Sequence, residues 1–240
     1  MLSEPTPAGP PAPPDPERAR AGAAGRPDGY GLVLLLLLIT YAVLVGETSS
    51  PWTASAVIMV QIFTVWVTLR VAHAARPIRI VADVTLVMAG LFAAANLLAH
   101  ERIGVTVLLP LMSGLLYLVA PIAIVRHLLS RGTVDRATVL GAIDVYLLIG
   151  MFFAFVYRMV SIAQAGAFFG SAGEGTFAQI LFFSFTTLTT TGYGNLVPAD
   201  NPGQTLAVME MLTGQLFLVT AVAKAINAFP AFIHHEKPPS

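Results

Sequence analysis

The sequence predicts an all-α membrane protein with six spanning helices and one shorter, re-entrant helix. Three observations carry this. Charge is scarce: 13 basic and 13 acidic residues make up 11% of 240, against about 25% in an average soluble domain. Apolar residues reach 56%, and the mean hydropathy is +0.76. They gather into runs close to the ~20 residues a helix needs to cross a ~30 Å hydrocarbon core. A soluble domain of this size has too much surface for so few charges, which excludes an ordinary cytosolic enzyme. There is no cysteine, hence no disulfide framework, thiolate nucleophile or cysteine metal site. A net charge of zero argues against a nucleic-acid partner.

The elements follow in order. Residues 1–29 hold eight prolines and no apolar run, a composition that cannot bury a core and is expected to form a disordered, Pro-rich tail. Apolar runs at 31–46, 52–69, 78–99, 103–125, 139–163 and 202–229 are the expected spans. The first is short, with Tyr30 and Arg26 as interfacial anchors. It is a poor signal peptide, because a long polar stretch precedes it and Pro51 and Trp52 crowd the nearest small-residue site. A seventh run, Phe177–Leu188, is too short to cross and is expected to re-enter.

Eleven basic residues (Arg18, Arg20, Arg26, Arg70, Arg76, Arg79, Arg126, Arg131, Arg136, Lys224 and Lys237) fall in alternate connections, and the others hold only Arg102 and Arg158. By the positive-inside rule both termini are expected in the cytoplasm. Gln61 and Asn96, single polar residues within spans, suit interhelical hydrogen bonds. Asp83 is expected to pair with Arg79 one turn earlier.

The stretch between the fifth and sixth runs is the most informative. It reads TFAQILFFSFTTLTTTGYGNLVPADNPGQ. Thr176 and Gln179 have the spacing of a capping box, which starts a short helix running to about Leu188. Asn201 and Pro202 suit the N-cap and first position of the last helix. Between them lies Thr190-Thr191-Gly192-Tyr193-Gly194. Non-helical backbone at membrane depth is tolerated only where it lines a cavity or is buried in protein. Glycines on both sides of Tyr193 permit backbone angles that other residues avoid, so that carbonyls can all point one way. A ring of carbonyls can replace the water around a dehydrated cation, as the potassium-channel loop TVGYG does.

On these residues the chain resembles the potassium channel superfamily, most strongly over 138–229, as a six-span, single-pore-loop channel of bacterial type. The resemblance implies a homotetramer, because one chain supplies one loop and the pore needs four. It divides the chain into a tail (1–29), a four-helix transmembrane domain (30–128), a linker (129–137), a pore domain (138–230) and a short cytoplasmic tail (231–240). It implies residence in a bacterial plasma membrane. Carbonyls of Thr190, Thr191, Gly192 and Tyr193, with the Thr190 hydroxyl, would coordinate K⁺, and Gly194 would close the outer mouth. K⁺ is the conducted ion and no cofactor is implied. The partners implied are K⁺, lipid and further copies of the chain. Two residues depart from the common pattern: Thr191 stands where valine is frequent, and Asn195 where aspartate is. In some members that aspartate bonds to an aromatic N–H and an acidic group on the pore helix. The matching Phe183 and Thr186 offer neither. The run 103–125 holds no charge, so the arginine ladder of a voltage sensor is missing.

Four charges and one glycine complete the candidate residues. Asp144 and Arg158 in the fifth run, and Glu210 and Lys224 in the sixth, are each 14 residues apart, about 21 Å along a helix. The two runs are antiparallel, so Arg158–Glu210 and Asp144–Lys224 are expected to pair, within a chain or between copies, since lone charges at such depth are costly. Otherwise Arg158 and Lys224 snorkel to the interfaces and Glu210 bonds to pore-helix hydroxyls such as Thr186 or Thr187. Gly214 lies about 18 Å into the last helix, where it serves as a gating hinge or permits close packing with the pore helix. The function expected is passive, K⁺-selective conduction without covalent chemistry. The alternatives are a poorly selective monovalent cation channel and a non-conducting scaffold or sensor that retains the loop.

Overall fold

The computed structural model describes residues 29–46, 51–72, 80, 83–84, 87–88, 90–91, 103–130 and 136–228. The expected tails, most of the 129–137 linker, most of the 78–99 span, Asn96 and the Arg79 partner of Asp83 lie outside them. The main helices are α1 (Gly29–Val45), α2 (Pro51–Val71), α3 (Ile103–Ser130), α4 (Arg136–Ala163), α5 (Phe177–Leu188) and α6 (Asn201–Ala228).

The expectation of six membrane-crossing helices is overturned. Among the described residues three helices are long and apolar enough to cross, over Pro110–Leu129, Arg136–Ala163 and Asn201–Lys224. Helices do form at the first two apolar runs, but they fall short. The 17 residues of α1 rise about 26 Å, less than the ~30 Å hydrocarbon core. Among the described residues the apolar stretch of α2 is Val60–Val71, 12 residues against the ~20 a crossing needs.

The centre of the fold is α4, which has two working faces because successive residues turn by ~100°. One face carries Gly141, Leu148 and Phe155. Gly141 sits against Leu128 of α3 and Tyr30 of α1, and Phe155 stacks on Tyr117 of α3 with centroids 5.4 Å apart. The opposite face carries Tyr146, Gly150, Phe153 and Tyr157. It receives α5, whose Phe185 ring lies against Gly150, and α6, whose Phe217 stacks on Tyr146 at 6.1 Å. Pro110 and Pro121 lie inside α3, as membrane helices allow. Gln61 of α2 accepts a 2.9 Å hydrogen bond from the Ser113 hydroxyl of α3, the interhelical role expected of it.

Above α5 the chain makes a tight loop. Tyr157, Phe168, Phe169 and Phe183 form an aromatic cluster, with Tyr157 and Phe183 at 5.0 Å and Phe168 and Phe169 at 4.8 Å. The Phe168 carbonyl accepts from Ala199 N at 2.9 Å, which ties this loop to the segment entering α6. That entry begins one residue earlier than expected. The Asp200 carbonyl already accepts from Gln204 N at 3.2 Å, and the Asn201 side chain accepts from the Thr205 hydroxyl at 3.0 Å.

Candidate functional site

The loop of interest hangs from the end of α5, and α5 is fixed at its start by the expected capping box. Gln179 N donates to Thr176 Oγ1 at 3.2 Å, and Thr176 N donates to Gln179 Oε1 at 2.8 Å. The helix ends at Leu188, after which the backbone alternates in hand. Thr190, Gly192 and Gly194 have φ of 56°, 53° and 77°, while Thr191 and Tyr193 between them are not positive.

Three amide groups of this loop turn back onto the helix. Thr190 N donates to Thr187 O at 2.9 Å, and Thr191 N and Gly192 N both donate to Thr186 O, at 2.8 and 3.2 Å. In a trans peptide the C=O points opposite to the N–H that follows it. The carbonyls of Thr189, Thr190 and Thr191 are therefore directed away from α5, onto the exposed side of the loop. The Thr191 side chain goes the other way. Its hydroxyl lies 2.8 Å from that of Thr189, whose own proton is committed to Phe185 O at 2.7 Å, so Thr191 is the donor between them. The Thr190 hydroxyl donates to Thr189 O at 2.7 Å and receives Gln215 Nε2 of α6 at 3.4 Å.

Tyr193 is 70% exposed within the single chain, and its ring stacks on Phe182 at 5.8 Å and 12°. The aromatic side chain that reaches the loop tyrosine is thus Phe182. Phe183 is held in the aromatic cluster behind it. A cavity of about 300 Å³ lies between the loop, α5 and α6, lined among others by Phe183, Thr186, Tyr193, Asn195 and Met211.

Glu210 is fully buried, and within the chain it meets hydroxyls, not Arg158. Tyr157 donates to its Oε2 at 2.6 Å, and the Ser184 Oγ lies 2.6 Å from its Oε1. The reason is helical phase. Tyr157 faces α5 and α6, and Arg158, the next residue, is turned ~100° away. The pairing of Asp144 with Lys224 is also not made within the chain. Asp144 is fully buried with no hydrogen-bond partner on either oxygen among the described residues, on the side of α4 that carries Gly141 and Leu148, while α6 packs on the opposite side. Lys224 Nζ instead donates to Leu128 O of α3 at 2.9 Å, one of the carbonyls a helix end leaves without a partner. Gly214 packs against the end of α5: a Cβ there would stand 2.6 Å from the Leu188 carbonyl oxygen.

The geometry so far is a capped short helix, a loop with one-sided carbonyls and two flanking helices. Residues 142–230 match the model of a family described as "Ion channel". The match spans α5, the loop and α6 and most of α4, a little over a third of the chain. A stretch of 78 residues is 35% identical to the inward rectifier potassium channel Kirbac3.1 of Paramagnetospirillum magnetotacticum. It covers 32% of this chain and 25% of that protein, so the likeness concerns about a quarter of the relative's length. The α4–α6 region is thus similar to ion-channel sequences over a little over a third of the chain.

The alternative reading of Glu210 on a pore-helix hydroxyl holds, through Ser184 and not Thr186 or Thr187, whereas Tyr157 was missed. The only signal for them was spacing: a buried acid needs donors, and Ser184 is a polar residue within the apolar run of α5.

Proposed function

We propose that four copies of this chain surround a single pore and conduct K⁺ passively and selectively, with the Thr190–Gly194 backbone as the filter. The observation that carries this reading is the alternation of φ at Thr190, Gly192 and Gly194 in a TTGYG sequence, with amides turned to α5 and carbonyls turned to the open side. Four such loops around an axis would offer a dehydrated cation rings of oxygens in place of water. The C-terminal end of α5, with its partial negative charge, lies just below the loop.

Fourfold assembly is supported by what the single chain leaves bare. Within the apolar window of α6 only 11% is buried, against 50% for α4, and the filter residues Thr190 to Gly194 are all exposed. Further copies would cover both. The α3–α4 connection carries Arg131 and Arg136, and Lys224 caps α3 at the same level. By the positive-inside rule this end of the bundle is cytoplasmic.

The test is flux from proteoliposomes under opposed K⁺ and Na⁺ gradients. The expected result is a reversal potential close to that of K⁺. A reversal potential midway between the two ions would point to a poorly selective cation channel, and no flux from a folded assembly would point to a scaffold.

A further inference from the structure

The Ser184 hydroxyl has two close acceptors and one proton. Its Oγ lies 2.7 Å from the Gly150 carbonyl oxygen of α4 and 2.6 Å from Glu210 Oε1 of α6. Both are O···O distances of real hydrogen bonds. A carbonyl oxygen can only accept, and an ionised carboxylate can only accept. If Glu210 were ionised, one of these two contacts would have no proton in it, with every atom buried: Ser184 and Glu210 are both 0% exposed. Short of one proton shared between both acceptors, the count closes in one way. Glu210 carries a proton on Oε1 and donates it to Ser184, Ser184 donates its own to Gly150 O, and Tyr157 donates to Oε2 at 2.6 Å.

We propose that Glu210 is a neutral carboxylic acid which, through Ser184, latches the pore helix α5 between α4 and α6, so that the filter keeps its geometry only while this proton is present. The proposal rests on the channel reading above and names a positioning residue for it. Ser184 lies two residues before Thr186, whose carbonyl holds the amides of Thr191 and Gly192. A shift of α5 at Ser184 is carried directly to the filter backbone. Loss of the proton leaves Oε1 and Gly150 O competing for one hydroxyl, and the connection to α4 or to α6 opens.

The titratable groups on the faces packed against Glu210 are few. Helix α4 presents Tyr157 and Tyr146, of which Tyr157 is bonded to the carboxyl. Helix α5 has no titratable residue. The remaining titratable group of α6, Lys224, is 14 residues away and bonded to Leu128. Arg158 and Asp144 of α4 lie on other faces.

The experiment has two arms on the full-length protein. In infrared difference spectra of the native protein against Glu210→Gln, a carbonyl band of a protonated carboxylic acid is expected at neutral pH, absent from the variant. A carboxylate band in its place overturns the latch. In proteoliposomes, native K⁺ flux is expected to fall as pH rises, whereas Glu210→Gln, whose amide can still donate to Ser184 and accept from Tyr157, keeps its flux across the same range. Equal alkaline loss in both, or a folded Glu210→Gln assembly without flux, also overturns it. The infrared arm does not depend on conduction. A native protein with the acid band and no flux overturns the proposed function alone.

Discussion

At the scale of single residues the filter is a problem in backbone hand. Thr190 is a β-branched residue at φ 56°, a conformation such residues rarely take. It is held there by Thr187 O on its amide and by Gln215 and Thr189 O on its hydroxyl. Gly192 and Gly194 meet nothing within 4 Å of a built Cβ, so a side chain would not clash there. What excludes one is φ. In Gly194→Ala the left-handed conformation costs roughly 1–2 kcal/mol, and the loop is expected to relax toward negative φ, swinging the neighbouring carbonyl off the pore side. K⁺ over Na⁺ preference should drop at least several-fold in the flux assay. A folded assembly with native preference would count against these carbonyls as the selective element.

Between elements, contacts depend on which face each helix presents. Helix α4 sends Gly141 and Phe155 to α1 and α3, and Gly150 and Tyr157 to α5 and α6. That division explains why Asp144 and Lys224, on paper at one level, do not meet within the chain. The crossing of α6 with the end of α5 is tight at Gly214, where a Cβ would stand 2.6 Å from Leu188 O and 2.8 Å from its Cδ1. The first of these is backbone and cannot rotate away. Gly214→Ala is therefore expected to push α6 off α5 and to destabilise the assembly by about 1–3 kcal/mol, read as a lowered melting midpoint in detergent. Altered open probability with an unchanged midpoint would favour a hinge over a packing role.

For the whole molecule, the single chain leaves apolar surface bare. Leu212, Leu216, Val219 and Tyr193 are 59%, 68%, 65% and 70% exposed, and they lie on α6 and the filter, where lipid alone cannot satisfy loop backbone. If four filters share bound K⁺, the ion stabilises the assembly by mass action, by about 2.7 kcal/mol when its concentration is 100 times its dissociation constant. Replacing K⁺ by a large organic cation should lower the temperature at which the tetramer dissociates on a denaturing gel, and Gly194→Ala should blunt the difference. A dissociation temperature indifferent to the cation would argue that no K⁺ is held between chains.

Composition and local pattern by themselves determined that this is a helical membrane protein, where α5 starts and stops, and that Thr190–Gly194 is the distinctive loop. Those features depend on neighbours a few residues apart: the Thr176–Gln179 box, the length of an apolar run, the glycines around Tyr193. The number of crossings was only partly legible, because an apolar run such as 31–46 forms a helix whether or not that helix is long enough to span. Partners of the buried charges were legible only as a class, pore-helix hydroxyls for Glu210, and not as particular residues. A spacing of 14 residues places Arg158 and Glu210 at one depth, but a contact also needs the two side chains to share an azimuth. The azimuth of α4 was set by the packing of Gly141 on α3 and of Gly150 under Phe185. Only the tertiary structure decided that, within the chain, Tyr157 and Ser184 and not Arg158 would reach Glu210.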